Sequence, residues 1–378
     1  MKRTVIILIL SLLLGFTCSF TAFAEDESSS DLGELGESIN ERIRSDTDSD
    51  VNGIISEYGL SADGDKASSL SFSDVLGKLI SRFLGELKAP LKLLGKLIAA
   101  AMLCSLAQSL VGQGSELTEI YRMIGSLAAI LALSDSLTGC VGLIVSSMEN
   151  ISSFMLAYIP IYASIVASMG NFVSGSSYYA SDLFLCECIA FLTQKALMPL
   201  MSVLIALSAV GAINPDIKLG GSAAAVKRVI QWLLGILMVV FSGLLTVRNT
   251  IGASVDSLKA RTVRFAASSF IPIIGGAVSE SYSTLRGGLG VIRSGTGTLG
   301  IIVIAVLVLR PLLSILAYRA IIAAGAFFCE LLGQENMARM LREFGTILSI
   351  GTSIMICFSM MFIISTSIIM MTAMNYGA

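Results

Sequence analysis

Apolar residues fall along this chain in long blocks, not in the alternation of a half-buried strand or the narrow stripe of a surface helix. From Pro90 onward the blocks lie at 90–111, 120–147, 151–170, 183–213, 229–251, 265–281, 298–328 and 345–373. Most exceed the roughly 20 residues that a helix needs to cross about 30 Å of hydrocarbon. The pattern therefore predicts an all-α fold, a polytopic transmembrane helical bundle over 90–378. The blocks at 151–170 and 265–281 are short, carry Ser and Gly, and hold a proline near the middle. Each is expected either to cross or to re-enter on the same side.

The region before the bundle has a different pattern. Over 72–89, Val75, Leu76, Leu79, Ile80, Phe83, Leu84 and Leu87 recur at helical spacing, with Lys78, Arg82, Glu86 and Lys88 on the other face. This predicts an amphipathic helix in the headgroup plane, or a face on which a partner docks. Residues 25–71 are rich in Ser, Asp, Glu and Gly and hold too little apolar surface to offset the entropy of ordering a backbone. An acidic flexible tail is expected there, with at most one short helix near 32–43. The first 24 residues show Lys2 and Arg3, an apolar core, and the small-residue run Ala22, Phe23, Ala24 before acidic residues. That is the layout of a signal peptide, which would export 25–71.

Composition agrees with a membrane protein: 54% of residues are apolar, only 14% are charged, and the mean hydropathy is +0.83. An ordinary soluble domain carries about 25% charged residues. The net charge of −2 conceals an asymmetry, because 25–66 holds thirteen acidic and three basic residues while the remainder of the body is basic. Arg248, Lys259, Arg261 and Arg264 form the densest basic cluster among the expected short loops. The positive-inside rule assigns that loop to the cytoplasm. Spans beginning at 90, 120, 151, 183 and 229 after an exported N-terminal region give the same side, although the Lys227 and Arg228 pair then falls outside.

A repeat is visible in the prolines. Shifting the chain by 112 residues lays YIPIYASIV on FIPIIGGAV and LMPLMSVL on LRPLLSIL, so that Pro160 meets Pro272 and Pro199 meets Pro311 without a gap. Four of six prolines obey one offset, which scattered apolar composition does not explain. The reading is an internal pair of three-helix repeats, at about 119–215 and 228–328, followed by a final helix at about 345–373. Proline removes an amide donor and disturbs the carbonyl a turn earlier. Such helices commonly surround a pathway or cavity at a repeat interface. Three crossings per unit would make the two units inverted, and a dipping middle segment would make them parallel.

Ionisable residues inside apolar blocks are costly and usually face an interior. Asp135, Glu187, Lys195, Arg310 and Arg319 qualify. Glu187 and Lys195 are two turns apart on one helix, as Arg310 and Arg319 are about two and a half turns apart on another. Together they are expected either to line a polar seam or to pair and snorkel at span ends.

Enzyme chemistry finds little support. The chain has no histidine, so triads and His-containing metal sites are excluded as usually built. Cys186 and Cys188 are one residue apart on a predicted helix and point to different sides. With the other cysteines of the apolar blocks they read as packing residues. GTGTLG at 295–300 matches a dinucleotide-binding pattern but no strand precedes it, so a glycine-rich loop leading into a span is expected. No catalytic residue, cofactor or metal is expected, and any ATP-driven step would fall to a partner. Thirty-five glycines suit close helix packing.

The export signal, the acidic tail, the amphipathic lead-in, the polytopic body with its IPI and PL-x-S-x-L echoes and the ending MNYGA together resemble the stage III sporulation protein AE family across the whole chain. The resemblance implies a non-enzymatic subunit of the channel-like, secretion-like complex joining mother cell and forespore. It places the chain in the mother-cell membrane around the forespore, where the complex supports forespore development and late gene expression. Its implied partners are the other stage III A sporulation proteins, including an ATPase and ring-forming subunits, and forespore protein Q. The alternative is a stand-alone secondary transporter or permease for a small solute. The long exported tail and the lack of a dense set of intramembrane carboxylates favour the subunit.

Overall fold

The computed structural model describes residues 87–111, 116–213, 220–270 and 275–372, with scattered positions between 38 and 85. The signal peptide, the acidic tail, nearly all of the amphipathic segment and Pro272 lie outside the described residues. The rest is helical, with no strand among the described residues: α1 (Lys88–Val111), α2 (Glu116–Ser168), α3 (Phe172–Leu192), a π-helical turn (Thr193–Leu197), α4 (Met198–Ile213), α5 (Gly220–Phe270), α6 (Gly275–Leu331) and α7 (Glu335–Thr372). The π turn joins α3 and α4 into one rod. Among the described residues six helices are long and apolar enough to cross a membrane: Lys88–Leu110, Met123–Ser168, Phe172–Ile213, Gly220–Arg248, Ile292–Leu331 and Glu335–Met371.

Several expected breaks are absent. The blocks at 120–147 and 151–170 form one helix that runs through Pro160, with Pro160 itself on the exposed side. A proline forfeits one hydrogen bond, but it leaves a helix continuous where the freed carbonyl is accommodated. Likewise α5 continues to Phe270, so 259–264 is helical backbone and not a loop. GTGTLG also lies within a helix, α6. The consequence for topology is direct. With one crossing in each of the six helices, the expected segments at 120–147 and 151–170 count once. Four crossings then precede residues 249–270, which puts them on the same side as the start of α1, whereas the positive-inside expectation depends on one more crossing.

Pro199 has a local effect that Pro160 lacks. The amide of Met198 bonds the carbonyl of Thr193, five residues back, which widens the helix into the π turn just before the proline. The wider turn draws the backbone away from the proline ring. Pro311 sits inside α6 and is buried.

Two tight turns order the hairpins. After α6, Gly333 adopts φ 74°, its amide bonds Glu330 O at 3.0 Å, and the Gln334 amide bonds Cys329 O at 2.8 Å. This is a Schellman ending, in which a left-handed glycine satisfies the last carbonyls. It folds α7 back along α6. After α2, Gly170 at φ 86° bonds Ala167 O at 3.0 Å and turns the chain into α3. The α6–α7 hairpin forms the centre, with α2 and α1 against α6, α4 and α2 against α7, and α5 lying on α3 and α4.

Candidate functional site: a buried polar junction

Ionisable groups inside this bundle collect where the middle of α3, the C-terminal part of α7 and the middle of α5 meet. Asp182 of α3 is 1% exposed and Arg248 of α5 is 5% exposed. Their closest atoms, Asp182 Oδ1 and Arg248 Nη1, are 3.5 Å apart. Ser365 of α7 stands between them: its hydroxyl lies 2.6 and 2.7 Å from the two carboxylate oxygens and accepts from Arg248 Nη1 at 2.8 Å. Arg248 Nη2 donates to the Ser365 carbonyl at 3.0 Å, and Nη1 lies 3.4 Å from the Ser181 hydroxyl. The guanidinium also sits 5.4 Å from the ring centre of Tyr178, one turn before Asp182 on α3.

A second cation serves the end of α7. Arg293 of α6 is buried and donates to the carbonyls of Ile369, at a very short distance, and Met370, at 2.6 Å. These carbonyls lie in the last described turn of α7, so the buried guanidinium ties α6 to α7 and finds the acceptors that a buried charge needs.

An aromatic ladder connects the two. Phe154, Tyr158 and Tyr162, one turn apart on α2, stack at 5.4 Å between successive ring centres, and Tyr162 meets Tyr178 edge-on at 5.5 Å. The Tyr158 hydroxyl donates to Thr296 O of α6 at 3.0 Å. GTGTLG explains how the rings fit. A Cβ added at Gly297 would lie 2.8 Å from the Tyr162 hydroxyl, and one at Gly300 would lie 2.6 Å from the Tyr158 hydroxyl. The motif is a groove for two tyrosines, which only residues without a side chain leave open.

The arrangement is suited to holding helices in register. Every charge has an opposite charge or a carbonyl against it, as buried charges require. Among the described residues no group of three or more His, Cys, Asp or Glu is placed to hold a metal ion.

The polar residues singled out from the sequence lie elsewhere. Glu187, Lys195 and Arg310 are exposed on the outside of the bundle, and Arg319 is half-buried. They are not brought together with the junction. Pro160 and Pro199 are exposed, Pro311 is buried, and Pro272 is outside the described residues. Cys186 is buried and Cys188 only partly so, in keeping with their opposed directions. The signal for the true cluster was present: Asp182, Arg248 and Arg293 each stand inside or against an apolar block. The expected block at 183–213 begins one residue after Asp182, Arg248 stands near the end of the block at 229–251 where it counts with the basic residues of an expected loop, and Arg293 precedes the block at 298.

Comparison with known proteins accounts for the whole bundle. The model of the family described as stage III sporulation protein AE matches residues 60–373. The chain belongs to this family. Among its relatives in the stage III sporulation protein AE family, the protein of that name from Bacillus subtilis (strain 168) is 26% identical over 353 residues, covering 88% of each chain. No solved structure matches. The family match takes in all seven helices, and therefore both cations and the carboxylate of the junction.

Proposed function

We propose that this chain is an integral membrane subunit of the sporulation channel or secretion-like complex linking mother cell and forespore, without enzymatic activity of its own. The observation that carries this reading is the family match across 60–373 on a chain with six long apolar helices among the described residues. In this reading the protein resides in the mother-cell membrane around the forespore and supports forespore development and late gene expression there. Its partners are the other stage III A proteins, including the ATPase and the ring-forming subunits, and forespore protein Q. A cleaved signal at 1–24 and an exported acidic segment at 25–71 supply the part that meets partners between the membranes. The internal repeat, with units now counted as the hairpins α2 with α3–α4 and α5 with α6, forms the platform.

The test is purification of the tagged chain from sporulating cells with its bound proteins identified, beside a solute-flux assay on the purified chain in liposomes. Co-purification of the stage III A set, together with liposomes that remain tight to small solutes, is expected. Robust uptake of one solute by the chain alone would replace this reading with the transporter.

A further inference from the structure

The outer face of the α3–α4 rod suits neither medium that a membrane protein meets. Phe184, Glu187, Phe191 and Lys195 follow one another at three or four residues and are all exposed, the two phenylalanines at 54% and 67%. Glu187 interrupts the apolar run 183–192, and Lys195 leads into α4, which carries no charge. A carboxylate and an ammonium on the outside of a bundle are costly in hydrocarbon. Large exposed rings interleaved with them are as unsuited to water. Whichever medium reaches this stripe, part of it is misplaced.

Asp182, one turn and a residue before Glu187, is buried and paired with Arg248. The outer charges are not answered in this way: among the described residues the side chains of Glu187 and Lys195 make no ion pair and no hydrogen bond. Nor do they reach each other, because eight residues of helix set them about 12 Å apart along the axis. In a regular α-helix that step would also carry Lys195 about 80° round from Glu187. The π turn Thr193–Leu197 advances fewer degrees per residue and brings Lys195 back toward the line of Phe184, Glu187 and Phe191. The turn that accommodates Pro199 therefore also aligns the face.

We infer that a transmembrane helix of another protein covers this face, with a basic side chain against Glu187 and an acidic one two turns along against Lys195. Pairing removes the cost of both charges, and their order fixes the register of the incoming helix. Phe184 and Phe191 supply apolar anchors between the pairs. A second copy of this chain does not fit: a two-fold axis along the membrane normal would set Glu187 against Glu187 and Lys195 against Lys195. The inference rests on the reading of the chain as a subunit and deepens it by naming the chemistry of one partner. It is tested on the purified chain, so its failure is distinct from a failure of the complex to co-purify.

The full chain, carrying a fluorescent donor, is reconstituted in phosphatidylcholine vesicles with acceptor-labelled peptides of Leu and Ala, about 24 residues long so that they span the bilayer. One peptide carries Lys and Glu eight positions apart, one carries Glu at both positions, and one carries neither. The Lys/Glu peptide is expected to bind about tenfold more tightly than the uncharged one. Glu187→Lys is expected to reverse the choice, so that the Glu/Glu peptide binds about tenfold more tightly than the Lys/Glu peptide. A variant that gains a ligand has kept its fold. Equal binding of charged and uncharged peptides, no binding of any, or an unchanged preference in Glu187→Lys overturns the inference. Energy transfer between copies of the chain that Glu187→Lys abolishes, and that the peptides do not displace, assigns the face to a second copy and overturns the choice of partner.

Discussion

The α6–α7 hairpin and the α1 and α5 helices are all apolar enough to span a membrane, yet their surroundings differ sharply. In the most apolar stretch of each span, 72% of α6 and 61% of α7 is buried by protein, against 22% for α1 and for α5. Residues 295–308 of α6 are buried without a break, whereas on α5 Trp232 is 66% and Val239 73% exposed. Apolarity does not distinguish them, because lipid tails are as apolar as a protein interior. Two features do. The centre holds glycines that admit tyrosine rings, and it is ringed by the charges that tie α3, α5, α6 and α7 together. In a membrane, the helix that goes inside is the one that others can approach closely or bond to.

Breaking the polar tie is the largest disturbance to this contrast. Arg248→Ala or Asp182→Ala leaves an unmatched buried charge and is expected to lower stability by about 3–5 kcal/mol, read from unfolding in mixed micelles. Replacing both with apolar residues of similar size, Asp182→Leu with Arg248→Met, is expected to cost less than either Ala variant alone. Costs that simply add would show that the two groups are not coupled, and the centre would then owe its burial to packing alone.

The glycine groove gives the next effect. Gly300→Val drives methyl groups into the Tyr158 ring and is expected to cost about 1–3 kcal/mol. On the outer helix, a Cβ added at Gly243 meets nothing within 4 Å, and Gly243→Val is expected to change stability by less than about 0.5 kcal/mol. Adding Tyr158→Ala to Gly300→Val should return part of the loss. Equal tolerance at positions 300 and 243 would remove the distinction between inner and outer packing.

Pro199 tests the outer surface itself. Its ring is exposed, so Pro199→Ala loses little packing, restores an amide facing the Lys195 carbonyl and lets the π turn close into an ordinary α turn. A gain of about 1 kcal/mol is expected, a part of the roughly 3 kcal/mol that an unaccommodated helical proline costs. A loss instead would mean that the widened turn at Thr193–Leu197 is itself held by contacts across the bundle.

Helix existence is legible because runs of twenty apolar residues have few alternatives, and each of the six spans overlaps an expected block, although several start about ten residues earlier and one joins two blocks. Helix ends were less so. Pro160 suggested a break that a continuous helix absorbed, and the polar stretch after Arg248 resembled a loop although its backbone stays helical to Phe270. For the site, the principle that a buried charge needs a partner was sound, but a sequence shows no partners. Asp182 and Ser365 are 183 residues apart, and nothing local marks either. Asp182 and Arg293 stand just outside the blocks and Arg248 near the end of one, and these are the buried charges, whereas Glu187, Lys195 and Arg310 deeper in the blocks face outward. GTGTLG was visible as a pattern, yet its role depended on two tyrosines from another helix.

The smallest effect is the most demanding of the comparison. Glu187, Lys195 and Arg310 lie on the outside of the bundle, so Glu187→Gln, Lys195→Gln and Arg310→Gln are each expected to change the stability of the purified chain by less than about 0.5 kcal/mol. That is several-fold below the cost at Arg248, although all four are ionisable residues in apolar spans. The measurement uses the chain alone because an outer charge that matters only in an assembly would leave unfolding unchanged and weaken co-purification of partners. A loss of 2 kcal/mol or more from any of the three in isolation would place that side chain in the internal framework, and burial in the bundle would no longer separate the charges that hold the fold from those that face outward.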